Sequence, residues 1–90
     1  MLQNGDRLFA ITCPNGGVAT IEPGFLDGPS RRVDGIPLWQ VRMHIAPGSS
    51  GSPVFDSRGR ITAVVKGRFR GTDSVGFLIP FEIILQFLEK

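Results

Sequence analysis

Glycine and proline cut the chain into short segments, most of which read as strands. Arg7–Thr12 (RLFAIT) suits a strand. Val18–Leu26 (VATIEPGFL) suits a second, interrupted at Pro23-Gly24. A turn-rich charged stretch, "DGPSRRVDG", follows. Leu38–His44 (LWQVRMH) alternates cleanly, and Val54-Phe55 makes a short strand. "DSRG", Asp56 to Gly59, has the aspartate and glycine of a hairpin turn. Ile61–Val65 and Val75–Ile79 are apolar and largely β-branched. The last segment has a different period. Phe81, Ile84, Leu85 and Leu88 recur at three- and four-residue spacing after Pro80, which predicts an amphipathic helix over Phe81–Glu89 laid on the sheet. Six closely spaced strands and one terminal helix predict an all-β domain, a small β-barrel.

Ninety residues make one small domain or part of a larger one, with a modest core. A net charge of +2 does not by itself point to nucleic acid or to an anionic membrane. The single cysteine, Cys13, excludes an internal disulfide and a cysteine-based metal site, and is expected to be a buried or half-buried thiol. No apolar run approaches the length of a membrane span, and the polar start "MLQNGDRLF" does not resemble a signal peptide.

The composition changes sharply at Pro47–Pro53, "PGSSGSP". A nucleophilic serine needs its hydroxyl clear of the backbone, a base within reach, and backbone N–H groups converging where an oxyanion will form. Glycine supplies the unusual dihedrals that such convergence demands. Gly48 and Gly51 flank Ser50 as G-x-S-G, and a strand follows at once. The same residues also suit a plain glycine-serine turn between two strands.

Four segments, in order, resemble the trypsin-like (chymotrypsin-fold) serine proteases, and their HtrA/Deg branch above all. "HIAPGSSGSPVF" is similar to the nucleophile loop A-I-N-P-G-N-S-G-G-P-L, "NGDRLFAITCPNG" to an upstream strand, "DSRGRITAVVKG" to the hairpin after the serine, and "SVGFLIPFEIILQFL" to the last strand and terminal helix. The resemblance covers nearly the whole chain. It implies the second antiparallel Greek-key barrel of a double-barrel peptidase, residues 1–90, with the first barrel absent. It implies that Ser50 is the nucleophile, and that the N–H groups of Gly48 and Ser50 form the oxyanion hole. Ser49 stands at the variable position before the nucleophile, and Ser52 where the family has a second glycine. The strand Val64, Val65, Lys66 and Gly67 would pair with the substrate backbone, and Gly76 would line the opposite wall of the specificity pocket. His44, six residues before the serine, would lie at the pocket floor next to Ile45. There it favours polar or acidic substrate side chains; otherwise it is a strand histidine facing solvent.

His44 is the only histidine and does not occupy the family's base position. Asp27, Asp56 and Asp73 read as turn residues. The base and its orienting acid would therefore come from a preceding barrel, and the chain alone would not hydrolyse peptides. The implied partners are a polypeptide substrate and that barrel; no metal or cofactor is implied. The bacterial periplasm or cytoplasm is the expected compartment. Two other readings remain at this level. One is an inactive barrel that only binds peptides or proteins. The other is an RNA-binding patch around "KGRFRG", Lys66–Gly71, set against a solvated loop beside the specificity pocket; the expectation is no nucleic acid.

Overall fold

A computed structural model describes all residues except 1–2, 14–15, 29–30, 34, 47, 69–70, 72–73 and 89–90. Its elements are β1 (Arg7–Thr12), β2 (Thr20–Leu26), β3 (Arg31–Val33), β4 (Ile36–Met43), β5 (Pro53–Asp56), β6 (Ile61–Arg68), β7 (Val75–Pro80) and α1 (Phe81–Leu88). Every strand pairing is antiparallel. The order is β2-β1-β5-β6-β7-β4, and a further pairing of β2 with β4 closes these six strands into a barrel. Among the described residues β3 pairs only with β4 and stands outside the ring. The expected fold class, an all-β antiparallel barrel with a C-terminal helix, is what the chain forms.

Period-2 alternation explains the core. Leu8, Ala10 and Thr12 of β1 turn inward, joined by Leu26, Val41, Met43, Val54, Ala63, Val65 and Leu78 from the other strands. Each fully buried leucine or valine contributes about 1.5–3 kcal/mol relative to exposure. The same alternation puts Phe9, Ile11, Ile21, Phe25 and Phe55 on the outside, where Phe9 pairs with Phe55 and Ile11 with Ile21. Ile21 is 65% exposed.

Closure depends on Gly24. It pairs with Leu8 on one side and Met43 on the other. A Cβ there would run into the Arg42 carbonyl oxygen and come within 2.7 Å of the Met43 Cβ. Backbone cannot give way as a flexible side chain can, so Gly24→Ala is expected to cost about 1–3 kcal/mol, as overpacking does. Thermal or denaturant unfolding would measure it, and an unchanged midpoint would refute the closure argument.

Several expectations change. The interruption at Pro23-Gly24 is absent: β2 runs straight through both. A third strand, β3, lies in the stretch read as turns. Cys13 is exposed, not buried, because it follows Thr12, whose side chain points inward. The helix packs against β6 and β7, with Phe81, Ile83 and Ile84 partly buried, but Leu85 and Leu88 stay exposed. No helix among the described residues is long and apolar enough to cross a membrane.

Asp56 is the turn residue expected. Its Oδ1 accepts the N–H groups of Arg58 and Arg60, and its Oδ2 lies 3.0 Å from the Arg60 guanidine. The Arg60 N–H bond, chiefly, holds its carboxyl below the usual carboxylate range, against a smaller desolvation effect. A depressed folded value means that the turn's contribution is present above the unfolded carboxylate range and is lost as pH falls through the folded value. A carboxyl-carbon NMR titration is expected to place the Asp56 midpoint below that of an unstructured aspartate.

Candidate active site

The chain passes from β4 to β5 by skipping over β7 and β6, and this crossover, residues 44–52, carries Ser50. Its two ends are pinned by backbone hydrogen bonds. Met43 N–H donates to the Ser74 carbonyl, Gly51 N–H to the Val65 carbonyl at 2.8 Å, and Val65 N–H to the Ser52 carbonyl at 2.9 Å. Inside the crossover, Ser49 N–H donates to Ala46 and Ser52 N–H to Ser49. Gly48 and Gly51 have φ values of +86° and +88°. A Cβ at either would meet nothing within 4 Å, so glycine is needed for the backbone conformation and not for space.

This geometry leaves Ser50 exposed at the rim of the barrel, with its hydroxyl donating to the Lys66 carbonyl at 3.0 Å. Neither the Gly48 nor the Ser50 N–H is taken by a carbonyl among the described residues. Ser49 is the reverse of its neighbour: it is 3% exposed, and its Oγ has no partner among the described residues.

Ser50, Gly48, Lys66 and Val65 come together at this loop. The Val65 side chain is in the core and its N–H and carbonyl hold the crossover, so it positions the loop. Ile45 is buried, and its Cδ1 occupies the space a side chain at Gly76 would need. The Gly67 carbonyl oxygen lies 2.8 Å from the point where a Cβ on Gly76 would sit, which makes Ile45, Gly67 and Gly76 one packed group. His44, the preceding residue, is exposed. Asp27 is ion-paired with Arg42 at 2.7 Å, and Asp73, Phe69 and Arg70 lie outside the described residues.

Sequence reasoning misses two features. The register of β6 against β7 shifts between Val65 and Gly67, so Lys66 is the extra residue of a bulge. No composition signal marks it, because a bulge arises from pairing. The burial of Ser49 is the other; two adjacent serines give no hint which one the loop turns inward.

A trypsin-like peptidase domain model matches residues 1–64. A probable periplasmic serine endoprotease, DegP-like, from Ectopseudomonas mendocina is 28% identical over 99% of this chain, which spans 20% of that protein's length. Among solved structures, the Rv3671c protease of M. tuberculosis in its active form superimposes with a TM-score of 0.87 at 22% identity, over 98% of this chain and 43% of that one. The HtrA-type protease AlgW with decapeptide superimposes with a TM-score of 0.85 at 24% identity, over 98% and 29%. The chain belongs to the trypsin-like peptidase family.

Proposed function

We propose that this chain is the serine-bearing barrel of a trypsin-like serine endopeptidase, residues 1–90 forming the C-terminal barrel of the peptidase domain. The observation that carries the reading is the exposed Ser50 between two left-handed glycines, beside two backbone N–H groups left without carbonyl partners among the described residues. Ser50 Oγ attacks the scissile carbonyl carbon, giving its proton to a histidine on the preceding barrel. The N–H groups of Gly48 and Ser50 hold the oxyanion. The amine leaves with that proton, and water then hydrolyses the acyl-serine. The Ser50 hydroxyl must turn from the Lys66 carbonyl toward the base for this to begin.

Lys66 and Gly67 would receive the substrate backbone by β-addition, and His44, Ile45 and Gly76 would line the pocket. A polypeptide substrate is supported by the peptide bound to the HtrA-type neighbour, and a periplasmic site by the name of the curated relative. With His44 as its only histidine, the 90-residue chain alone is expected not to hydrolyse peptides.

The test is fluorophosphonate labelling of the full-length protein, with the modified peptide mapped by mass spectrometry. Labelling on Ser50 supports an assembled triad. A folded full-length protein that does not label would sink the reading.

A further inference from the structure

We propose that Lys66, assisted by Arg68, makes this site selective for substrates with an acidic side chain within a residue or two of the scissile bond. The inference rests on the peptidase reading above and adds the substrate class. The bulge in β6 is its starting point. Val65 pairs with Leu78 and Gly67 with Phe77, so Lys66 has no partner across the ladder. Bulges next to reactive groups re-aim a side chain. Here the bulged residue is also the one whose carbonyl accepts the Ser50 hydroxyl, at 3.0 Å. Any peptide whose carbonyl reaches Ser50 therefore passes within the span of the lysine's four-carbon stem.

On the β5 side, the β6 ladder ends at Pro53 with Val64. Val65 is then taken by Gly51 and Ser52, and Lys66 by Ser50. Beyond that point no strand among the described residues covers the edge at Gly67 and Arg68. An extended peptide added there would carry its side chains opposite or diagonal to Lys66 and Arg68, where opposite charges attract across strands.

Segments 44–55, 61–68 and 74–80 hold the cations Lys66 and Arg68 and contain no aspartate or glutamate, with Asp56 and Asp73 at their borders. Lys66 and Arg68 are exposed, and neither is in an ion pair among the described residues. Fixed cations beside a nucleophile select acidic ligands and reject basic ones.

The test compares kcat/KM of the full-length protein on two matched fluorogenic peptides differing only in Glu or Gln beside the scissile bond. At low ionic strength the Glu peptide is expected to be favoured about threefold to tenfold, the range for one or two partly exposed opposite-charge pairs. That ratio is expected to fall toward one in Lys66→Gln, persist in Lys66→Arg, invert in Lys66→Glu, and shrink as salt is raised. A merely structural role for Lys66 would slow both peptides and leave the ratio alone. Equal cleavage of both peptides by the native protein overturns the selectivity and leaves the peptidase reading standing. No cleavage of either, together with no fluorophosphonate labelling of Ser50, overturns both.

Discussion

Ser50→Ala in the full-length protein is expected to lower kcat for peptide hydrolysis by about 10⁴-fold or more, while peptide binding persists. The size follows from what is removed. Without Oγ no acyl-enzyme forms, and only the oxyanion donors and substrate positioning remain, which retain a small residual rate over water. The fold is not expected to suffer. Ser50 is exposed, its hydroxyl makes one bond to a carbonyl on a neighbouring strand, and the crossover is held by the Gly51 and Ser52 backbones. Thermal unfolding measured beside the kinetics would separate a lost nucleophile from a lost structure. A variant that keeps most of its kcat would show that another group performs the attack.

Gly48→Ala is expected to lower kcat by about a hundredfold with a much smaller change in KM. One oxyanion donor is worth about that much. The reason lies in backbone conformation. At φ +86° an alanine Cβ has open space, yet an L-residue resists that dihedral, so the peptide is driven to rotate and its N–H turns away from Ser50. The defect should fall on the step in which charge develops, and fluorophosphonate labelling, whose phosphoryl oxygen uses the same donors, should slow in parallel. Labelling at the native rate would remove the Gly48 N–H from the oxyanion hole.

The elements with a clean period are legible in the sequence. β1 runs over Arg7–Thr12, the segment that reads as a strand, and the helix begins after Pro80 as its apolar spacing indicates. Features fixed by pairing between distant segments are not. Nothing local in "RRV" signals a strand, since β3 exists by pairing with β4. Gly24 reads as a break, but its lack of a Cβ is what lets β2 lie against β4. Cys13 is of a residue type that favours burial, yet its place after the inward-facing Thr12 turns it to the surface. At the site, G-x-S-G points to Ser50 and its flanking glycines. Two further details, the Lys66 carbonyl that receives the hydroxyl and the packing of Ile45 against Gly76, depend on β6 and β7, which come later in the chain.

The crossover that carries Ser50 also bears on how the chain folds. The hairpins β1–β2, β5–β6 and β6–β7 close locally, but β1 must find β5, Leu8 meeting Asp56, and β4 must find β7 across the crossover itself. Such high contact order places folding in the slow, millisecond-to-second range of β-barrels, with the loop-closing entropy met before the long-range pairs form. The serine loop is ordered only once those seams exist. Its hydrogen-bonded amides, those of Ser49, Gly51 and Ser52, should therefore gain hydrogen-exchange protection with the last phase of folding, so a partly folded chain carries no formed nucleophile.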